Sequence, residues 1–128
     1  GKRLYLRVSD LYVHNEKPVV TPDAGIREVI LEISSRRLGC TAVVDKGILK
    51  GIITDGDLRR MLQGSTDVSN LKTIDILSRN PLMVAPDALV SDALDLMRSR
   101  NITQLLVENN GEYLGVIHLH DILKEGII

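Results

Sequence analysis

Two short stretches of this chain combine residue types that bind charged small molecules at the start of a helix. Residues 51–58 read Gly-Ile-Ile-Thr-Asp-Gly-Asp-Leu, and residues 115–122 read Gly-Val-Ile-His-Leu-His-Asp-Ile. In the first stretch the pattern predicts a strand ending at Thr54 and a helix beginning near Asp57. Helix N-termini leave backbone N–H groups unpaired and attract anions. A carboxylate there can accept two hydroxyls of a ribose diol, while a threonine hydroxyl and free N–H groups hold a phosphate.

A purely structural role fits the same aspartates. Asp55 or Asp57 can cap its own helix, and capping alone accounts for an acid at this position. On local sequence the capping role is favoured over ligand binding. Recurrence in the second stretch does not decide the question, because two caps recur as readily as two binding sites.

Other chemically active residues have a simpler interpretation. His118 and His120 have the i, i+2 spacing of a two-histidine metal site, but neither a cysteine pair nor an acidic cluster lies near them in the sequence. A role for His118 in lining a ligand site is therefore favoured over zinc binding. Cys40 has no histidine or aspartate partner that the sequence reveals, and it is predicted to be a buried structural thiol.

The elements that position these residues come from an internal repeat at an offset of 64. Residues 20–60 align without a gap on residues 84–124, and eleven of the 41 pairs are identical. That is several times what shared composition gives, so the chain contains two copies of one supersecondary unit. Residues 73–77 resemble residues 8–12 at an offset of 65, which places a one-residue length difference in the loops that follow.

Each copy predicts an extended segment, a helix, two strands and a second helix. Helix-start signals are Thr21-Pro22-Asp23 and Ala85-Pro86-Asp87, and apolar residues at helical spacing follow both. The turn signals Asp45-Lys46-Gly47 and Asn109-Asn110-Gly111 separate two short apolar runs, and Gly51 and Gly115 predict a bulge or a close backbone approach. The fold class is α+β: two pseudo-symmetric units, each a small sheet flanked by two helices, packed as one module. The predicted boundaries are residues 1–64, including an N-terminal linker segment, and residues 65–128, with a polar linker over residues 63–70.

Composition excludes several classes of function. The chain has 128 residues, 44% of them apolar, and its 16 basic and 17 acidic residues give a net charge of -1. This balance predicts neither nucleic acid nor a membrane as a partner. The single cysteine fits a reducing cytoplasm, so a cytoplasmic location is predicted. Aromatic residues are few, so a planar ligand must lie mainly between aliphatic side chains. A start at glycine rather than methionine suggests a piece excised from a longer protein.

The paired Gly-x-Ile-Thr-x-x-Asp-Leu endings and the x-Pro-Asp-Ala helix starts resemble those of tandem CBS domains, which together form a Bateman module. Residues 54–60, 115–123, 38–41 and 100–103 further resemble the C-terminal regulatory region of bacterial arabinose-5-phosphate isomerases, in the sugar isomerase–CBS family. The resemblance covers nearly the whole chain. It implies that the catalytic residues belong to an upstream sugar isomerase domain, and that this fragment is not itself an enzyme.

The resemblance also implies the site residues. Thr54 and Asp57 occupy the family's Thr-x-x-Asp positions and Asp121 the second aspartate, but His118 replaces the second threonine, so two unlike clefts are expected. The predicted ligand-binding residues are Thr41, Thr54, Asp57, Arg60, Thr103, His118, Asp121 and Lys124. No catalytic residue and no metal ligand is predicted.

The expected function is regulatory. No cofactor is required, and the expected effector is an adenosine nucleotide or a CMP-linked octulosonate sugar that modulates the attached isomerase domain. The CBS pairs are expected to self-associate, as a dimer or as a tetramer of the parent protein. The alternative is an assembly or oligomerisation module whose ligand clefts are vestigial.

Overall fold

The computed structural model describes residues 5–64 and 67–126. The helices are α1 (Val8–Tyr12), α2 (Ile26–Arg36), α3 (Asp55–Gly64), α4 (Thr73–Ile76), α5 (Val90–Arg100) and α6 (Leu119–Leu123). The strands are β1 (Val19–Val20), β2 (Cys40–Asp45), β3 (Ile48–Thr54), β4 (Met83–Val84), β5 (Gln104–Asn109) and β6 (Glu112–His118). The predicted α+β fold class and the predicted element order of each copy are confirmed. Of the predicted linker over residues 63–70, residues 65 and 66 lie outside the described part of the chain.

The chain divides into two compact units that differ in how they are built. Lys17–Pro81 form the contiguous unit, and the described residues up to Glu16 together with those from Leu82 onward form the two-segment unit. In the contiguous unit β1 lies parallel to β2 and β2 lies antiparallel to β3. In the two-segment unit β4, β5 and β6 repeat that arrangement. No helix in the described parts of the chain is long and apolar enough to cross a membrane.

Each unit encloses its own apolar core. The core of the contiguous unit comprises Val20, Ala24, Val29, Ile33, Val43 and Ile53, with Leu58, Ile76 and Leu77 packed against it. The core of the two-segment unit comprises Val8, Val90, Ala93, Leu94, Met97, Leu105, Val107, Ile117 and Ile122. The predicted helical stripes therefore supply the core faces of α2 and α5, since their buried positions recur at spacings of three and four residues.

Both β-hairpins turn where the sequence predicts. Lys46 and Gly47 have φ values of 51° and 80°, and Asn110 and Gly111 have φ values of 52° and 85°. Two successive residues with positive φ are what a two-residue hairpin loop needs to match the twist of its strands. The register then shifts between Val43 and Val44, and again at the equivalent place in β5, so the predicted irregularity near the glycine of each second strand is confirmed.

The helix starts predicted at the two Pro-Asp sequences are wrong by several residues. Pro22 and Asp23 lie in a turn, in which the Thr21 hydroxyl donates to Asp23 Oδ1 over 2.7 Å, and α2 begins only at Ile26. In the second copy α5 begins at Val90. The Pro-Asp turns have a different use, because their carbonyl groups receive another helix.

The two shortest helices dock on the repeat to which they do not belong in sequence. In the contiguous unit the N–H groups of Thr73 and Ile74, in α4, donate to the carbonyls of Ala24 and Pro22 over 2.9 and 3.0 Å. In the two-segment unit α1 makes the same bonds, from Val8 to Ala88 and from Ser9 to Pro86 over 2.9 and 2.8 Å. The compact units therefore do not coincide with the sequence division at residue 64.

Candidate functional site

The first corner, residues 54–60, is where β3 passes directly into α3. Cys40 pairs with Thr54 in the sheet, and the Asp55 N–H donates to the Gly39 carbonyl over 3.0 Å, so the corner is fixed to the start of β2. The Thr54 N–H donates to Asp57 Oδ2 over 2.9 Å, and the Asp57 N–H donates to Thr54 Oγ1 over 3.2 Å. Thr54 and Asp57 therefore cap the helix reciprocally, as the structural interpretation of this aspartate predicts.

Capping leaves one carboxylate oxygen of Asp57 for another partner. Asp57 Oδ1 accepts a hydrogen bond from the Arg60 guanidinium, whose side chain is 68% exposed while that of Asp57 is 10% exposed. Exposed ion pairs of this kind contribute about 0–1 kcal/mol, so a ligand hydroxyl can replace Arg60 at small cost. The displaced guanidinium is a suitable partner for a phosphate. Gly56 leaves space here, because a Cβ on it would meet Arg60 Nη1 at 3.4 Å and Thr54 Oγ1 at 3.5 Å.

The second corner, residues 118–124, follows the same backbone plan with different side chains. The His118 N–H donates to Asp121 Oδ2 over 2.8 Å, and the His120 N–H donates to His118 Nδ1 over 3.0 Å. The rings of His118 and His120 stack with centroids 4.9 Å apart and planes 3° from parallel. The role of Nδ1 as an acceptor requires a neutral His118, with its proton on Nε2. Burial lowers the pKa of His118, the neighbouring His120 lowers it further, and Asp121 opposes the shift.

A side chain from outside the corner also contacts Asp121. Asn15 follows α1, and its Nδ2 donates to Asp121 Oδ2 over 2.7 Å and to the Val116 carbonyl over 2.9 Å. Asp121 Oδ2 therefore accepts both from the His118 backbone and from Asn15. Sequence reasoning did not find Asn15, although an asparagine recurs 65 residues later, at Asn80.

The remaining predicted site residues lie in unlike environments. The Thr41 side chain is completely buried and its hydroxyl donates to the Ala42 carbonyl over 3.1 Å, so the structure does not present it at the surface beside Thr54. Thr103 is exposed, and its carbonyl accepts from the Leu119 N–H over 2.8 Å at the second corner. Lys124 is exposed and terminates α6. The structure thus brings Thr54, Asp57 and Arg60 together at one corner and His118 and Asp121 at the other.

Two further residue types fit no reactive site in the described part of the chain. Cys40 is buried, and desolvation raises the pKa of its thiol to about 12, with Asp55 adding to the rise. A thiol held protonated in this way is a poor nucleophile and a poor metal ligand. Within residues 5–64 and 67–126, no group of three or more His, Cys, Asp or Glu side chains is arranged to hold a metal ion.

Comparison with known proteins identifies this repeated plan. The family model described as the CBS domain matches residues 8–64 and again residues 73–127. The chain belongs to the CBS domain family. Its two CBS copies confirm the tandem CBS resemblance inferred from the paired corners.

Curated relatives and solved structures extend this result. The chain is 45% identical to arabinose 5-phosphate isomerase KdsD of Yersinia pestis and 38% identical to KdsD of Escherichia coli, in each case over its full length and 40% of the relative. A CBS-domain containing protein from Agrobacterium tumefaciens superposes with a TM-score of 0.85 at 23% identity, covering 97% of this chain and 96% of that one. A CBS domain protein from Pyrobaculum aerophilum, complexed with AMP, superposes with a TM-score of 0.81 at 26% identity, covering 94% of this chain and 97% of that one.

Proposed function

We propose that this CBS pair is a regulatory module that binds a nucleotide-type ligand and modulates an attached arabinose-5-phosphate isomerase domain. The chain spans about 40% of the length of the isomerases that it matches along its whole length. On this proposal catalysis belongs to the rest of such a protein, which acts in the cytoplasm, and the described chain itself has no catalytic role. Isomerase turnover by these 128 residues alone would contradict this division of labour.

The observation that carries the proposal is the arrangement of three side chains at the first corner. Asp57 uses one oxygen to cap α3 and offers the other, through the exposed Arg60, to solvent. A ribose diol needs an acceptor of this kind, and a phosphate needs a cation and N–H groups at a helix start. The corner therefore supplies complementary groups for both parts of a nucleotide within one turn of helix.

Two ligand classes satisfy this chemistry. An adenosine nucleotide offers a ribose diol and a phosphate, and the relative from Pyrobaculum aerophilum was crystallised with AMP. A CMP-linked octulosonate sugar adds a carboxylate and is a chemically sensible feedback ligand for an isomerase that supplies octulosonate synthesis. Regulation further requires that the ligand bind one conformational state of the parent protein more tightly than another.

Calorimetric titration of the chain with AMP and with a CMP-linked octulosonate tests binding directly. Asp57→Asn keeps one oxygen to accept from the Thr54 N–H, so the cap survives while the negative charge is lost. Hydrogen bonds to a charged group contribute about 1.5–3 kcal/mol, so we expect affinity to fall about tenfold or more. Asp95→Asn, on the exposed side of α5, is the charge-matched control and should bind normally. If neither ligand binds the unmodified chain, the sensing function is wrong.

An exposed apolar face on α2 favours a second candidate, an assembly module. Ile30 and Leu31 are 39% and 60% exposed, and together with Val68 they line an open groove of about 570 Å³. At the equivalent positions of the second repeat, Leu94 is buried and Asp95 is charged. This face fits the same face of a second copy, because apolar surface that is lost from water on pairing stabilises the pair.

Sedimentation separates the assembly role from sensing. Leu31→Asp introduces the residue type found at the equivalent position of α5. If the α2 face mediates pairing, the variant should sediment as a smaller species at equal concentration while its nucleotide affinity stays unchanged. An unchanged sedimentation coefficient would exclude this face as the assembly surface.

A further inference from the structure

The two corners share a backbone plan but differ at the positions that face a ligand. At the repeat offset of 64, Thr54 corresponds to His118 and Gly56 to His120. The first pair exchanges a small hydroxyl for an imidazole, and the second replaces a hydrogen with another imidazole. Both changes add a bulky ring to the second corner and none to the first.

The added rings occupy one another. His118 and His120 stack at 4.9 Å, and His118 Nδ1 is already bonded to the His120 N–H. The N–H group at the start of α6 is therefore satisfied by a side chain rather than left for an anion. At the first corner Gly56 leaves the space beside Thr54 Oγ1 free of any side chain of its own.

An asparagine of the flanking segment completes the difference. Asn15 donates to Asp121 Oδ2 and to the Val116 carbonyl, which joins the segment after α1 to the second corner. Asn80 is its sequence counterpart at an offset of 65, but it is exposed, and the carbonyl equivalent to that of Val116, on Ile52, accepts instead from the Ser78 backbone over 2.8 Å. Asp57 is consequently bonded only to groups of its own corner.

We infer that the chain binds one ribose-bearing anion, at the first corner, and that Asn15 with the His118–His120 stack closes the second corner. Asn15 acts as a positioning residue that commits Asp121 to the fold. This inference rests on the proposed sensing function and adds to it the location and number of ligands. It makes the second corner a structural joint rather than a duplicate site.

Stoichiometry measured on the full chain tests the inference. Titration with AMP, and separately with a CMP-linked octulosonate, should give one ligand per chain, and Asp57→Asn should abolish that binding with no residual site. Two ligands per chain, or one ligand retained in Asp57→Asn, would overturn the inference while leaving the sensing function intact. Absence of binding by either ligand to the unmodified chain would instead remove the proposed function and the inference together.

A reciprocal variant tests what closes the second corner. The triple change Asn15→Ala, His118→Thr, His120→Gly gives the second corner the residue types of the first and frees Asp121, so binding should rise from one to two ligands per chain. Asn80→Ala is the matched control and should still bind one. A folded triple variant that binds only one ligand would refute the closing role.

Amide chemical shifts of the unmodified chain give a readout that does not depend on the stability of that variant. On titration, the amides of Thr54, Gly56 and Asp57 should shift with saturation, and those of His118 and Asp121 should not. Saturable shifts of the His118 and Asp121 amides of a size matching those at the first corner would overturn the inference.

Discussion

At the scale of single residues, Asp57 shows that helix capping and ligand binding are compatible uses of one carboxylate. One oxygen is held by the Thr54 N–H and the other by a mobile surface cation. The cap fixes the orientation of the carboxylate before a ligand arrives, which lowers the ordering cost of binding. Asp121 shows the opposite outcome, because the same residue type in the same backbone setting is bonded by Asn15.

His118 makes the second corner sensitive to pH. Its cap requires the neutral ring, and burial lowers the pKa of His118 below its ordinary value of 6.5. Between the lowered pKa and 6.5 the unfolded chain binds more protons than the folded chain, so the free energy of unfolding rises with pH. The contribution is therefore fully present above pH 6.5 and declines as the pH falls below it.

Urea unfolding of the chain and of His118→Thr checks this expectation. Threonine retains an oxygen that caps a helix but does not titrate. The stability of the unmodified chain relative to the variant should fall between about pH 7 and about pH 5, where histidine gains its charge. A difference that is constant over this range would show that the ring of His118 does not couple protonation to folding.

Residue chemistry at the corners was largely predictable, and the contacts that distinguish them were not. The Thr-x-x-Asp spacing predicted that Thr54 and Asp57 meet, because both lie within one turn. Asn15 and Asp121 are separated by 106 residues, so no local pattern joins them. Thr41 has the composition of a site residue, but its position at the start of β2 buries it completely.

At the scale of elements, the glycines of β3 and β6 mark where the flanking segments approach the sheet. A Cβ on Gly51 would clash with the Ser78 carbonyl oxygen and lie 2.7 Å from Leu77 Cδ1. A Cβ on Gly115 would lie 2.8 Å from Tyr12 Cδ1. Tyr12 and Leu77 correspond at the offset of 65, so both repeats use the same glycine to admit the residue that ends a docked helix.

These contacts predict unequal costs of adding one methyl group. Gly51→Ala should lower the free energy of unfolding by about 1–3 kcal/mol, because its obstacle is a backbone carbonyl held by two hydrogen bonds between Ile52 and Ser78. Gly115→Ala should cost less, since a tyrosine ring can rotate away. Urea denaturation of both variants measures the order. Gly64→Ala, with nothing within 4 Å of its added Cβ, is the control and should be neutral or stabilising. Equal costs for Gly51→Ala and Gly115→Ala would contradict the steric argument.

Element order was predictable from the sequence, whereas helix starts were not. The Asp-Lys-Gly and Asn-Asn-Gly turns specify the hairpins because they supply two consecutive positive φ angles locally. Pro22 and Asp23 have the composition of a helix start, but the Pro22 carbonyl accepts from Ile74 and the Ala24 carbonyl from Thr73, far along the chain. A long-range contact thus keeps these residues in a turn.

At the scale of the whole molecule, the sequence repeat and the folded unit are different objects. The sequence predicts a division at residue 64, but α4 lies beyond that division and supplies Ile76 and Leu77 to the core of the first repeat. The first 16 residues are grouped with the second repeat. Repeat boundaries therefore cut across cores.

Fragments of nearly equal length separate these two divisions. Residues 17–81 contain a complete core with α4 and should fold alone, with a cooperative thermal transition followed by circular dichroism. Residues 1–64 lack α4 and carry α1 without its partner, so they should show no cooperative transition. Cooperative melting of residues 1–64 equal to that of residues 17–81 would show that α4 is dispensable for the core.

The exchange of α1 and α4 also imposes an order on events during synthesis. The contiguous unit is complete once Pro81 has left the ribosome, so its sheet and helices can assemble while later codons are still being read. The two-segment unit must wait: α1 emerges first, but the Pro86 and Ala88 carbonyls that receive it are made last. Early folding of the middle segment also shortens the effective loop that α1 must close, which lowers the entropic cost of finding its partner. The crossed helices therefore make the first repeat a folding scaffold for the second.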